Sequence, residues 1–146
     1  MPIVEYVDGD LLESDHRYIA HGVNCQGVMG SGIAKQIKEK YPKVYEKYTM
    51  KEPKLGYVQW VECKNRTIIN LFTQEYYGRD MRFVSYDAID IAFARLNDQF
   101  SALYLNDCHI LGIPKIGAGL GGGNWKIIET IINERTSDIP IVVYSI

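Results

Sequence analysis

The chain reads as a three-layer α/β domain: a mixed, mostly parallel central sheet with helices on both faces. Three observations predict it. Strand-like and helix-like periodicities alternate from end to end, as they do where helices cover a sheet. The strand-like runs at 67–72, 109–114 and 139–145 are apolar, the pattern of strands buried among other layers. No repeat, low-complexity stretch or domain boundary interrupts the 146 residues, so 1–146 is one domain, long enough to bury a core.

Residues 3–7 alternate weakly and form the first strand. A turn follows at Gly9, and Asp10 either caps the short helical segment behind it or serves a ligand. Residues 18–24 form the second strand and deliver the chain to a glycine-rich stretch, 21–34. A helix over 33–40 carries Ile33, Ala34 and Ile37 on one face. Pro42 starts a second helix with Val44, Tyr45 and Tyr48 turned inward. The lysines and glutamates around them make a solvated face. Residues 51–55 are a polar linker. Strands over 57–62 and 67–72, joined by the turn Lys64-Asn65-Arg66, make an antiparallel hairpin. In the loop 73–80, Tyr76 and Tyr77 gather beside Phe72, either to stack on a sugar or base or to pack the loop.

The clearest amphipathic helix spans 85–100. Tyr86, Ile89, Phe93, Leu96 and Phe100 recur in it at three- and four-residue spacing. Residues 101–107 either extend it or form a loop. Strand 109–114 is buried, with His109 a structural residue at its start. A second glycine-rich stretch, 112–125, ends at Asn124, the N-cap of a last helix whose buried face is Trp125, Ile128, Ile131 and Ile132. Residues 139–145 are the final strand.

Apolar residues make up 47% of the chain, charged residues 23%, and the net charge is −2. These values are ordinary for a soluble globular protein. They argue against non-specific nucleic-acid binding, which needs a basic face. No apolar run reaches the roughly 18 residues of a membrane span. The N-terminus lacks a basic segment followed by an apolar one, so no signal peptide is expected. Cys25, Cys63 and Cys108 are odd in number and widely spaced, which argues against a disulfide framework and a zinc site and fits a reducing cytoplasm. Acids and histidines are scattered, so neither a metal nor a cofactor is expected.

Chemistry concentrates in the two glycine-rich stretches. Gly22, Gly27, Gly30 and Gly32 lie between a strand and a helix, and the segment Gly112-Ile-Pro-Lys-Ile-Gly-Ala-Gly-Leu-Gly-Gly-Gly-Asn-Trp125 repeats that arrangement. Glycine tolerates positive φ and lets a ligand approach the main chain. A glycine-rich turn that opens a helix aims unpaired N–H groups and the positive dipole end at one spot, which favours an anion. In open α/β sheets such loops meet at the carboxyl ends of neighbouring strands, where ligands bind. Two of them facing each other suit a diphosphate. Neither is a P-loop or a dinucleotide GxGxxG.

These landmarks resemble the macro domain superfamily, in order and over the whole chain. Val7-Asp8-Gly9-Asp10-Leu11 resembles its first signature. The 21–34 segment, Ile69-Asn70-Leu71-Phe72-Thr73-Gln74, Ile113-Pro114-Lys115-Ile116-Gly117-Ala118-Gly119-Leu120, Trp125 and the closing Val142-Val143-Tyr144-Ser145-Ile146 match the others. The resemblance implies a three-layer α/β/α macro-domain fold and ADP-ribose as ligand. It implies that Asp10 accepts a hydrogen bond from the adenine amino group, with the Leu11 backbone alongside, and that Asn24 holds the distal ribose hydroxyls. Gly30, Ser31, Gly32 and Ile33 cradle one phosphate; Gly117, Ala118, Gly119, Leu120 and Gly121 hold the other. Phe72 and Tyr76 flank the distal ribose, and Tyr144 lies near the adenine end.

Two branches of the superfamily bear on activity. The spacing His21-x-x-Asn24-Cys25 resembles the ADP-ribose 1''-phosphate phosphatases. That likeness implies a catalytic His21, with Asn24: an imidazole that activates water or protonates the leaving ribose oxygen. Loop N–H groups then stabilise the transferring phosphoryl oxygens. The alternative for His21 is an inward-facing ring bonded to backbone. Cys25 reads as a small buried thiol rather than a nucleophile. The branch that hydrolyses ADP-ribose esters or ADP-ribosylated nucleobases relies on a lysine and an aspartate where this chain has Gln74 and Gly121, so its Schiff-base nucleophile is missing. The expected function is therefore ADP-ribose binding with hydrolysis of ADP-ribose 1''-phosphate to ADP-ribose and phosphate, by a monomer. The alternatives are a non-catalytic ADP-ribose-binding module and an ADP-ribosyl hydrolase that needs no lysine. Expected partners are the small molecule or ADP-ribosylated macromolecules, and no membrane.

Overall fold

The structure, a computed structural model, describes residues 3–77, 84–103, 109–119 and 121–145. Six strands form one sheet: Ile3–Asp8 (β1), Tyr18–Asn24 (β2), Val58–Glu62 (β3), Thr67–Gln74 (β4), Leu111–Pro114 (β5) and Ile141–Ser145 (β6). Their spatial order is β1-β6-β5-β2-β4-β3. Every neighbouring pair is parallel except the β3–β4 hairpin. Helices Gly32–Lys40 (α1) and Pro42–Met50 (α2), with a 3-10 turn at Leu11–Glu13, cover one face. Helices Tyr86–Ala102 (α3) and Trp125–Arg135 (α4) cover the other.

Strand parity sorts the core into two layers, because successive side chains point to opposite faces. Ile19, Val23, Ile68 and Phe72 pack against Leu11, Leu12, Ile37, Val44 and Tyr48. Ala20, Ile69, Leu71, Ile113 and Val143 pack against Ile89, Phe93, Leu96, Ile128 and Ile132. Each large aliphatic or aromatic side chain buried this way contributes about 1.5–3 kcal/mol. Tyr18 joins Trp60, Phe100 and His109 edge-on, at 5.2–5.8 Å between ring centres, so His109 serves packing.

Side-chain caps fix where helices begin. Ser85 Oγ accepts from Ala88 N, and Asn124 Oδ1 accepts from Lys126 N at 2.9 Å. Asp10 Oδ1 accepts from Leu12 N at 2.9 Å, so Asp10 does cap the turn behind it. The element boundaries differ from expectation in places. β4 runs to Gln74, two residues past its apolar stretch, because Asn24 and Val84 pair with Gln74. β5 starts at Leu111 and β6 at Ile141, each two residues late, and α3 takes in Ser101 and Ala102. Trp125 and Ile131 are half-buried rather than buried. The remainder of the 73–80 and 101–107 loops, and Cys108, lie outside the described residues. Among the described residues, Cys25 and Cys63 are free thiols, no helix is long and apolar enough to cross a membrane, and no cluster of metal-ligating side chains is found.

Candidate functional site

β2, β4 and β5 all end, at their carboxyl termini, in one cleft of about 460 Å³. The floor comes from Gly22, Val23 and Asn24 of β2, Thr73 and Gln74 of β4, and Pro114 of β5. The first glycine-rich loop supplies one wall through Val28, Gly30, Ser31, Gly32, Ile33 and Ala34. The second supplies the other through Lys115, Ile116, Gly117, Gly119 and Gly121, and Tyr77 stands at the edge. The floor is tight: a Cβ on Gly22 would lie 2.7 Å from Thr73 Oγ1 and 3.1 Å from Ile116 Cγ2. Only a bare backbone lets β2, β4 and the second loop converge there.

The two walls are built differently. In the first, Asn24 Oδ1 accepts from Gln26 N at 2.9 Å and Val28 N at 3.3 Å, and its Nδ2 donates to Val28 O at 2.8 Å. α1 then opens at Gly32, so its first N–H groups and positive dipole end face the cleft. Ser31 sits at the N-cap without capping the helix through its side chain. In the second wall, Gly123 N donates to Gly117 O at 2.7 Å, Gly122 N to Gly119 O and Ala118 N to Lys115 O. Gly117 takes φ +77° there, and a Cβ on it would lie 2.6 Å from Val84 Cγ2. Among the described lining residues, Lys115 carries the only full charge, and none is a carboxylate or imidazole.

The structure brings together Asn24, Gly30, Ser31, Gly32, Ile33, Gly117, Gly119 and Gly121. Leu120 lies outside the described residues. Ala118 is half-buried off the lining. Asp10, Leu11 and Tyr144 sit beyond the cleft at the β1–β6 end of the sheet, where Gly9 N bonds Ser145 O at 2.8 Å. Leu11 is 1% exposed, and the Tyr144 hydroxyl meets His16 Nε2 at 2.7 Å.

His21, Phe72 and Tyr76 fall outside the lining of the cleft. His21 is fully buried beneath α2, on the face opposite Gly22. Its Nε2 meets Asn70 Oδ1 at 2.6 Å, Asn70 Nδ2 donates to Gln59 Oε1, and Gln59 Nε2 donates to Lys47 O. Burial pulls the imidazole down to about 4, so the ring is neutral and out of reach of a ligand in the cleft. Phe72 is likewise fully buried on that face, beside Tyr48, while its neighbour Thr73 reaches the cleft. Tyr76 is exposed off the lining, and Tyr77 takes the edge position. Burial also pushes the Cys25 thiol up to about 11, which suits an inert group. Thr73, Gln74 and Lys115 are lining residues that pattern reading did not single out for the ligand; their signal is only that each follows the apolar part of a strand.

No family model matches the chain. It is 33% identical over 152 residues to an uncharacterised 17.5 kDa protein of Enterobacteria phage T4, covering 97% of this chain and 95% of that protein. It is 27% identical to the ADP-ribose 1''-phosphate phosphatase of Saccharomyces cerevisiae, end to end in both. It is 29% identical to the DNA ADP-ribosyl glycohydrolase of Mycobacterium tuberculosis, but spans only 42% of that protein's length. Among solved structures it superposes on the macrodomain of Mycobacterium tuberculosis DarG with a TM-score of 0.80 at 26% identity, covering 100% of this chain and 99% of that one. The fold also matches Thermosipho africanus DarTG in complex with ADP-ribose, with a TM-score of 0.79 at 22% identity, covering 95% of this chain and 40% of that one. The sheet order and these likenesses give the chain the macrodomain fold.

Proposed function

We propose that this protein binds ADP-ribose in the cleft between its two glycine-rich loops. One observation carries the reading: two loops of bare main chain face each other across one cleft at the carboxyl ends of β2, β4 and β5, with the start of α1 in the first wall. A diphosphate there meets helix N–H groups and Lys115, and no carboxylate opposes it among the described lining residues. Adenine extends towards Asp10 and Tyr144, and the distal ribose towards Asn24 and β4. The Thermosipho africanus structure in complex with ADP-ribose supports the ligand, through a shared fold.

A second reading adds turnover: hydrolysis of ADP-ribose 1''-phosphate, the activity named for the yeast relative that this chain matches along its whole length. In it, water attacks phosphorus, the bond from phosphorus to the anomeric oxygen breaks, and ADP-ribose leaves with a proton. With His21 buried, the described cleft offers main-chain N–H groups to the phosphoryl oxygens but no side-chain base. Binding is therefore the reading that the geometry supports best.

Calorimetry with ADP-ribose tests the first reading. Gly119→Glu is the control, because Gly119 lines the cleft and a Cβ there meets nothing within 4 Å among the described residues. The variant should keep the wild-type melting temperature and lose affinity at least about a hundredfold, near 2.7 kcal/mol. Equal affinity would place the ligand elsewhere. Phosphate release from ADP-ribose 1''-phosphate, compared between wild type and His21→Asn, tests turnover. Activity lost in the variant would restore the histidine; activity in both would assign it to the loops. Release of ADP-ribose from a modified protein or oligonucleotide would instead point to the glycohydrolase activity named for the mycobacterial relative.

A further inference from the structure

The outer arm of the first loop, residues 25–28, has open space on both sides. Val28 faces the main cleft. Cys25, Gln26 and Gly27 face a separate crevice of about 230 Å³, closed on its far side by Tyr48, Thr49 and Lys51. Cys25 at its start packs in the core, and hydrogen bonds hold the rest. Glu75 O accepts from Cys25 N at 3.2 Å and from Gln26 Nε2 at 3.1 Å, tying the arm to the end of β4. Further ties come from α2. The Tyr48 hydroxyl lies 2.6 Å from Asn24 O and 2.8 Å from Asn24 Oδ1, and the Tyr45 hydroxyl donates to Gly27 O at 3.2 Å.

We infer that Tyr48, seconded by Tyr45, is a positioning residue that holds the anion-binding loop in its ligand-ready shape. This rests on the cleft being the ADP-ribose site. Tyr48 is 2% exposed and its ring lies 5.7 Å from that of Phe72, so the hydroxyl is placed by the rigid packing of α2 on β4. It grips the same Asn24 oxygen that orients Gln26 N and Val28 N. One phenol thus fixes the side chain that shapes the whole turn. Burial pushes that phenol up to about 12, so it stays a donor through the neutral range. A loop already ordered before binding avoids the entropy of ordering it afterwards. Neither tyrosine needs to touch the ligand.

The test compares wild type, Tyr48→Phe and Tyr45→Phe by calorimetry with ADP-ribose and by amide hydrogen exchange without it. Tyr48→Phe should weaken binding about tenfold, with a more unfavourable binding entropy, and speed exchange in residues 24–32 while β4 keeps its protection. Tyr45→Phe should do the same to a lesser degree, about threefold, and stands in if Tyr48→Phe folds poorly. Affinity within twofold of wild type in both variants would overturn the inference. So would faster exchange spread evenly over β4, the mark of general loosening. If wild type fails to bind ADP-ribose, the reading of the cleft falls, and exchange confined to 24–32 still decides whether the clamp exists.

Discussion

The two glycine-rich loops look interchangeable in the sequence and are not. The first hangs from side chains: Asn24 bonds Gln26 and Val28, and tyrosines of α2 hold Asn24 and Gly27. The second folds on its own main chain, through Gly123 to Gly117 and Gly122 to Gly119, with Val84 as backstop. A loop tied by side chains takes its shape from distant elements and can be loosened without damage to the backbone. A loop tied by its own main chain takes its shape from local dihedral angles and fails when one of them is forbidden.

The sharpest way to break this contrast is Gly117→Val. The residue sits at φ +77°, and a Cβ would lie 2.6 Å from Val84 Cγ2. A left-handed β-branched residue costs about 1–2 kcal/mol and overpacking about 1–3 more, so the variant should lose about 4 kcal/mol in urea unfolding. ADP-ribose affinity should fall with it. A loss under about 1 kcal/mol would show that the second loop is not set by its own backbone.

The strand that carries the first loop provides the next test. His21 is buried neutral, with its folded value at about 4 against an ordinary 6.5. Between those values the unfolded chain binds a proton that the folded chain does not, so stability is full above about pH 6.5 and declines as pH falls towards 4. The decline attributable to this residue is about 3 kcal/mol. Urea unfolding at pH 7 and pH 4 should show it in wild type and not in His21→Asn. A wild-type curve as flat as the variant's would mean that the ring is already solvated, and would reopen its access to the cleft.

His21 also shows where sequence reading ends. Periodicity gives α3, the β3–β4 hairpin and the overall layering, because an amphipathic helix or an alternating strand writes its buried face into every second or third residue. β2 and β4 are buried on both faces, so parity leaves no trace in them, and nothing local says that Gly22 faces the cleft while His21 does not. Nothing local says either that Thr73, and not Phe72, lines the cleft. Asn70, the partner that keeps His21 inward, lies 49 positions away. The glycine loops were legible because their composition carries the signal. Lys115 and Gln74 carry none, since a polar residue after a strand is what any loop would have.

Asn24→Ala probes the side-chain-tied loop directly. It removes the acceptor shared by Gln26 N, Val28 N and Tyr48, and the donor to Val28 O. Water reaches part of this cluster through the cleft, so the cost should be about 2 kcal/mol rather than the sum of the bonds. The paired measurement is ADP-ribose affinity, which should fall by more than tenfold because the arm loses its shape. A stability loss without any loss of affinity would mean that the first loop binds nothing.

The smallest effect is expected at Asp10, which the sequence left between cap and ligand. Its Oδ1 caps the 3-10 turn at Leu12 N, so Asp10→Ala should cost about 1 kcal/mol of stability, the usual value of an N-cap. Its carboxylate is exposed at the β1–β6 end, beyond the walls that hold the diphosphate. If adenine reaches it, the variant should also lose affinity for ADP-ribose while binding ribose 5-phosphate, which has no base, as wild type does. An equal loss for both ligands would show that Asp10 acts by holding the turn. That turn carries Leu11 and Leu12, which pack on the same face of the sheet as α1, so Asp10 would then act through that packing.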